Sequence, residues 1–543
     1  MPREKTKSSK DLKEKRQKQS VVGEAWSQSI FLAGIAVLGL VATLLLLWST
    51  AEHGIGVRSD SVEYVWAAET LAQGIGLGRL SGEGAFKPLI EFPPLYSTSL
   101  AIFEWIGVGA WEGARWLAAV FFAANIVLIG LVVLRLTSSR IFSLSAAGFA
   151  LMAPAVFEVN LWAMTEAPYV TFVLLGFLLL DDFFRVGHTR RLVWAGVFLG
   201  LAFLTRYVGA TALAAAGLVL LVQPGKPWLQ KIKEGALLAA VAGLPMALWL
   251  IRNLIVGGSA TNKIINYHPI TAQKWKVFTS TLANWLAPLQ NFFLIGKRKL
   301  IIFISSGLGA WLFYRHSESG KVEPSQANWL GWLFIAYIPL YLFLVFFSVM
   351  FTGAAIPLDD RMMYPVYTML IVGFFTLLFF IWKRSYAAAP MFGLVSLILS
   401  AVIIFTLADG YAAKTLALAT ESRERGKGYA LTQLAERDVV QAFLRYPDDY
   451  LIYTDNVHQL YYFSGRLAYL FPVALDSATQ LEIGEGYSLT LQDIQHRLNE
   501  RQKVMFVFFF ADEVNPALVA ELFPQMVQIV GGEQGYLYIN QGN

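Results

Sequence analysis

The chain has 543 residues, of which 56% are hydrophobic and only 15% charged, with a mean hydropathy of +0.52. A soluble domain is nearer half apolar and a quarter charged, so this composition indicates a polytopic membrane protein. The absence of cysteine excludes disulfides, thiolate metal sites and thiol catalysis, and the net charge of +5 comes mostly from the first eighteen residues.

In chain order, residues 1–24 read as a basic tail (Arg3, Lys5, Lys7, Lys10, Lys13, Lys15, Arg16, Lys18). Because an apolar helix follows, the tail fits the positive-inside rule, with no nucleic-acid partner. Spans need roughly 20 apolar residues. They fall near 29–50, 112–134, 141–158, 166–181, 190–206, 208–223, 234–251, 299–314, 328–351, 363–382 and 388–408, about eleven helices. If the N-terminus is cytoplasmic, the cytoplasmic loops hold Arg135 with Arg140, Arg185 with Arg190 and Arg191, Lys226 with Lys231 and Lys233, Arg315 with Lys321, and Lys383 with Arg384. That bias matches the rule, and an odd number of spans places the C-terminus outside.

Two external loops are long. The first, 51–111, holds an amphipathic run (Val62, Val65, Trp66, Glu69, Leu71) expected to lie in the membrane interface, then Pro93-Pro94-Leu95-Tyr96 entering an apolar helix. The second, 252–298, carries Tyr267, His268, Trp275 and Trp285 and ends in Lys297-Arg298-Lys299, an anion site or a departure from the charge rule. His268 has no partner histidine at ligand spacing. After about residue 409 the pattern alternates: a helix over 429–445, a strand at 450–454, a helix from Leu491 to Glu500, a strand from Val504 to Phe510, and an edge strand at 536–539. Strands alternating with helices predict a small exoplasmic α/β domain over 409–543, following a membrane domain over 25–408. No phosphate loop, nucleophile elbow or internal repeat is visible.

The most informative residue is Asp60, a carboxylate close to where the first span leaves the bilayer; charge at that depth is costly and usually functional. It also fits a helix N-cap, since Glu63 stands at the third position of a capping box, and the two roles are compatible. Arg252 and Arg361 fall at external helix ends, where each can meet a phosphate or snorkel; snorkelling is the stronger expectation for Arg206. Glu158 and Glu166 bracket a short external turn, and Glu166 also suits a first helical turn. Asp359-Asp360 reads as a metal pair or as a loop with one carboxylate pairing Arg361. Tyr64 and Trp66 beside Asp60 are candidates to stack on a sugar.

These features in this order resemble the GT-C superfamily of integral-membrane glycosyltransferases. They are a span, Asp60 with Tyr64 four residues on, an amphipathic helix, and Glu91-Phe92-Pro93-Pro94-Leu95-Tyr96. Further matches are Thr165-Glu166-Ala167-Pro168, Gly200 to Arg206, Trp249-Leu250-Ile251-Arg252-Asn253 and Arg361-Met362-Met363-Tyr364-Pro365. The likeness is to the branch of lipid A aminoarabinose transferases, protein O-mannosyltransferases and related bacterial sugar transferases, and covers about residues 25–410. It implies transfer of a sugar from a polyprenyl-phosphate donor to a glycan, lipid or protein acceptor on the exoplasmic face, with Asp60 as the catalytic carboxylate. It implies lipid-phosphate binding by Lys87, Arg252, Arg361, Tyr64 and Glu91, and a second acidic position at Glu158 or Glu166, in some relatives a ligand for a divalent metal. The aminoarabinose branch has lysine where this chain has Phe92, and Lys87 is the nearby replacement. The rival readings are a flippase for lipid-linked sugars, which predicts charge at the bilayer midplane, and a membrane scaffold, which predicts no cavity at Asp60.

Overall fold

The computed structural model describes residues 28–285, 328–353, 355–472, 485–510 and 515–540. The basic tail, the expected span at 299–314 and the triplet Lys297, Arg298 and Lys299 lie outside these residues. The helical part comprises α1 (Gln28–Ser49), α2 (Ser59–Ala72), α3 (Leu95–Trp105), α4 (Ala110–Thr137), α5 (Arg140–Met152), α6 (Pro154–Asn160) and α7 (Glu166–Val186). It continues with α8 (Thr189–Thr205), α9 (Ala210–Val222), α10 (Trp228–Gly257), α11 (Ala272–Asn284), α12 (Trp329–Phe351), α13 (Asp360–Ala388) and α14 (Pro390–Arg425). The ten expected spans that can be inspected all fall on helices, although 141–158 is divided between two and 190–206 and 208–223 fall on the shorter α8 and α9. Seven are long and apolar enough to cross a bilayer, and α5 with α6 forms an eighth candidate bent by 61°. The bend falls at Ala153, held extended (φ −73°, ψ 116°) because Pro154 disfavours helical geometry in the residue before it.

Burial separates the inner helices from the outer ones. The apolar windows of α4, α7 and α13 are 56%, 72% and 61% buried, whereas those of α10 and α14 are 17% buried. Helices α4, α7 and α13 therefore form the centre, and α10 and α14 present most of their apolar surface outward, as lipid-facing helices do. Arg135 near the end of α4 donates to Asp181 Oδ2 at 2.6 Å near the end of α7, and Arg185 donates to the same oxygen at 2.8 Å. Two of the expected cytoplasmic basic loops thus meet at one end of the bundle; Glu166 opens α7 at the other.

The 51–111 segment departs from the expected interfacial helix. In α2 the residues Ser61, Val62, Tyr64, Val65, Trp66, Ala67, Ala68 and Thr70 are buried, so the helix is covered nearly all round. The bundle covers one side; on the other, Trp66 stacks on Tyr461 of the C-terminal domain with ring centroids 3.8 Å apart. A hairpin of β1 (Gly78–Ser81) and β2 (Ala85–Pro88), absent from the sequence reading, follows α2.

Helix α14 continues well past residue 408, to Arg425, and leads into the C-terminal domain. That domain holds a five-stranded sheet of β3 (Leu451–Thr454), β4 (Tyr469–Leu470), β5 (Val504–Phe508), β6 (Met526–Val530) and β7 (Tyr536–Asn540), in the order β4-β3-β5-β7-β6. The first three strands are parallel; β7 is antiparallel to β5 and to β6. The expected edge strand at 536–539 is interior, because β6, missed in the sequence, covers its outer side. Alternate residues of β5 face two apolar layers: Met505 and Val507 meet Val439, Phe443 and Leu460, while Val504, Phe506 and Phe508 meet Ile494 and Phe523. The single helix expected over 429–445 is two short ones, Thr432–Ala435 and Asp438–Phe443.

The junction of the two parts depends on Gly428. Its φ is +65°, and Val57 and Gly428 form a β-bridge in which Tyr429 N–H donates to Val57 O at 2.9 Å. A Cβ at position 428 would run into the Val57 carbonyl. Gly428→Ala is therefore expected to destabilise the protein by about 1–3 kcal/mol. Thermal unfolding of the purified variant in detergent checks this; an unchanged midpoint would refute it.

Candidate active site

The first turn of α2 is set by Ser61, whose Oγ accepts the Arg58 N–H at 3.1 Å. Asp60 is the second residue of the helix and not its cap, which corrects the capping reading. A carboxylate in a first turn is still favoured by the helix dipole. Glu63, the other half of the expected capping box, instead accepts from Arg79 at 2.8 Å and from His458 at 2.7 Å.

Asp60 Oδ2 accepts from Arg361 Nη2. Arg361, at the start of α13, also donates through Nε to Glu166 Oε1 at 2.7 Å, and Arg206 Nη1 reaches the same oxygen at 2.6 Å. The result is an alternating row of charges, Asp60–Arg361–Glu166–Arg206. Side-chain exposure along it is 29%, 15%, 1% and 14%, so Asp60 is the member most open to a reactant. Tyr64 is buried one turn along α2, edge-on to Phe92 (4.9 Å) and Tyr96 (5.2 Å). Burial first, and then the Asp60 carboxylate, push its phenol up, so it stays neutral.

The structure thus brings together Asp60, Tyr64, Glu166 and Arg361, and adds Arg206, for which snorkelling was expected. Arg206 stands between α8 and α9 in extended geometry (φ −148°, ψ 135°), a break that turns its guanidinium inward to Thr165 Oγ1 (2.9 Å) and Glu166. Arg252 does not join the row. It donates to the carbonyls of Leu89 (2.8 Å) and Leu77 (3.3 Å) and lies over Trp249, so it fastens the 51–111 segment to α10. Glu158 is engaged by Lys427 at 3.1 Å and does not share a partner with Glu166. Neither member of the Asp359–Asp360 pair meets Arg361: Asp359 caps α13 by accepting from Met362 N–H at 3.3 Å, and Asp360 accepts from Trp285 Nε1 at 2.6 Å. Trp66 and Tyr64 are each 2% exposed; Tyr64 is closed off, whereas Trp66, with one face stacked on Tyr461, still contributes to the wall of a cavity shared with the C-terminal domain. Among the described residues no group of three or more His, Asp or Glu is placed to hold a metal ion.

Lys87 and Glu91 line a cavity of about 470 Å³ together with Glu63, Arg79, Leu89, Ile90 and the C-terminal end of α10 at Val256. Glu91 accepts from Asn262 Nδ2 at 2.9 Å. Lys87 makes no hydrogen bond or salt bridge among the described residues, and burial together with Arg79 holds its ammonium below the usual lysine range.

Residues 91–251 match the sequence model of the family described as dolichyl-phosphate-mannose-protein mannosyltransferase. No curated protein sequence matches the chain. Among solved structures, ArnT from Cupriavidus metallidurans in the apo state superposes with a TM-score of 0.56 at 15% identity, over 96% of this chain and 99% of that one. The same protein bound to undecaprenyl phosphate gives 0.54 at 13% identity, over 93% and 98%. The archaeal oligosaccharyltransferase AglB from Archaeoglobus fulgidus, in complex with an inhibitory peptide and a dolichol-phosphate, gives 0.50 at 13% identity, over 95% of this chain and 74% of that one. These likenesses extend over nearly the whole chain and establish its GT-C fold.

Proposed function

We propose that this GT-C membrane glycosyltransferase moves a sugar from a polyprenyl-phosphate donor to an acceptor hydroxyl on the exoplasmic face, with Asp60 as the base. The observation that carries this reading is the exposure gradient along the charge row. Of the two carboxylates in the row, Asp60 combines an orientation given by Arg361 with a side chain 29% exposed, and the preceding residue, Ser59, lines a cavity. Removing the acceptor proton as the oxygen attacks the anomeric carbon is general-base catalysis, and a single carboxylate suffices for an inverting displacement. The leaving group is a phosphate, which needs no proton but does need positive charge.

The cavity beside Lys87 suits that phosphate. One wall is aliphatic (Leu89, Ile90, Val256) and continues onto the outer end of a lipid-facing helix. Of the charged groups in the lining, Arg79 is paired with Glu63 and Glu91 accepts from Asn262, which leaves the Lys87 ammonium as the cation for the phosphate. Relatives of the same fold were solved with undecaprenyl phosphate and dolichol-phosphate, which supports a polyprenyl donor. Arg252 acts here by holding the backbone around Leu77 and Leu89 in place. The exoplasmic assignment rests on the basic loops at Arg135 and Arg185, which lie at the bundle end opposite Asp60. A flippase would need charge at the midplane, whereas the buried carboxylates Glu166 and Asp181 lie near the two ends of α7.

The test is incubation of the purified protein with radiolabelled polyprenyl-phosphate sugars and native membrane acceptors. Label should appear in an acceptor fraction. Label that crosses the bilayer still attached to its lipid would favour the flippase instead. Lys87→Gln is expected to weaken donor binding by about 1.5–3 kcal/mol, the scale of a hydrogen bond to a charged group. Because the Lys87 ammonium is depressed, it loses its charge at lower pH than an ordinary lysine, and donor affinity should fall as pH rises toward that point. Donor titrations across alkaline pH check both effects; a wild-type profile in Lys87→Gln would remove Lys87 from the site.

A further inference from the structure

A second cavity, of about 360 Å³, adjoins the first at the β1–β2 hairpin, where Arg79 and Lys87 line both. That volume is within the range of small-molecule sites, roughly 300–1,000 Å³. The membrane part supplies Ser59, Arg79 and Ser81, and the C-terminal domain supplies Asn456, His458 and Tyr469. We propose that this second cavity is the acceptor site and that it takes an uncharged saccharide. The proposal rests on the glycosyl-transfer reading above and names the acceptor class for it.

Position is the first argument. Ser59, the residue before Asp60, lines the cavity, and its Oγ is 2.8 Å from Tyr429 OH. Asn456 Nδ2 donates to the same Tyr429 oxygen at 3.0 Å. The wall contributed by the C-terminal domain is thereby tied to the turn that carries the base. A ligand here would lie beside that turn and next to the donor cavity, with which it shares Arg79 and Lys87.

Chemistry is the second argument. Arg79 and Lys87 bring two positive charges; Asp455, which also lines the cavity, and Glu63, which holds Arg79 and His458, bring two negative ones. Burial opposes the charge of Glu63, but the His458 hydrogen bond and Arg79 outweigh it and hold the carboxyl below its usual range. Asp455 turns its oxygens to the N–H groups of Phe509 and Phe510 at 2.8–3.0 Å. Fixed charge therefore balances, and a phosphorylated or carboxylated ligand would gain little. What remains is a mixture of hydroxyl, amide and imidazole groups beside the Tyr469 ring and Leu470, the combination that accommodates a sugar's hydroxyls and its C–H faces.

Leu470 is 54% exposed and lines the cavity, so Leu470→Trp can fill the space without disturbing a packed core. The experiment titrates the full chain in nanodiscs with neutral gluco-, manno-, galacto- and arabino-oligosaccharides, with glucose 6-phosphate, glucuronate and a Ser/Ala peptide. At least one neutral saccharide should bind the wild type and bind Leu470→Trp about tenfold or more weaker, which is at least about 1.4 kcal/mol. Ser81→Trp should act in the same direction, and polyprenyl phosphate should bind both variants like the wild type. Absence of neutral-saccharide binding, preferential binding of a charged sugar or the peptide, or insensitivity to both variants would overturn the proposal. Saccharide binding that persists while Asp60→Asn retains full transfer would instead sink the catalytic reading and leave the cavity assignment standing.

Discussion

Replacing Asp60 by asparagine is expected to lower the transfer rate by about 10²- to 10⁴-fold, the contribution of a positioned acid–base group. Asparagine has nearly the same shape, and its carbonyl oxygen can still accept from Arg361, so the turn at the start of α2 should hold. The ion pair it removes is partly exposed, 29% on the Asp60 side, and Arg361 keeps its bond to Glu166. The stability change should therefore stay within about 1 kcal/mol. A base acts on the chemical step, so kcat should carry the loss while the donor KM stays near its wild-type value. Near-normal kcat in Asp60→Asn would remove the residue from the reaction, whatever its place in the row of charges.

The helical framework was legible because hydrocarbon permits few alternatives: a run of apolar residues long enough to span must satisfy its backbone internally. Asp60 and Arg361 were legible for the related reason that charge at a helix end is conspicuous against such runs. Arg206 was just as conspicuous, but its meaning depends on a backbone break between two short helices and on a carboxylate forty residues earlier. Only the fold shows that the guanidinium turns inward. The signal available was an arginine at the junction of two spans too short to be independent, which asks for a buried partner. Arg252 was misread in the opposite direction: the acceptors that occupy it are backbone carbonyls of Leu77 and Leu89, which leave no trace in residue types. Trp66 likewise looked open on both faces because its partner, Tyr461, comes from a domain almost four hundred residues later. The order of the C-terminal strands was hidden because β6 has a modest apolar pattern, with only Met526 of its five residues buried, and strand order is a tertiary property.

Glu166→Gln is expected to do the reverse of Asp60→Asn, and the contrast separates the two carboxylates. Glu166 is 1% exposed, and one of its oxygens accepts from two guanidiniums that are themselves mostly buried. Glutamine keeps an acceptor but removes the negative charge, leaving Arg206 and Arg361 close together with only Asp60 to balance them. Breaking a buried ion pair from one side costs about 3–5 kcal/mol, because the remaining charge stays desolvated and unpaired. A loss of that size is a large share of the stability a folded protein usually has, so thermal unfolding in detergent should shift clearly downward and yield should fall. Removing a neighbouring cation as well, in Glu166→Gln with Arg206→Gln, should restore part of the loss, since the two changes share one interaction and cannot add independently. A single variant as stable as the wild type, or a double variant showing the plain sum of two penalties, would mean that the row of charges is not coupled. Asp60 would then owe its orientation to the α2 turn alone, and the exposure gradient would no longer distinguish it as the base.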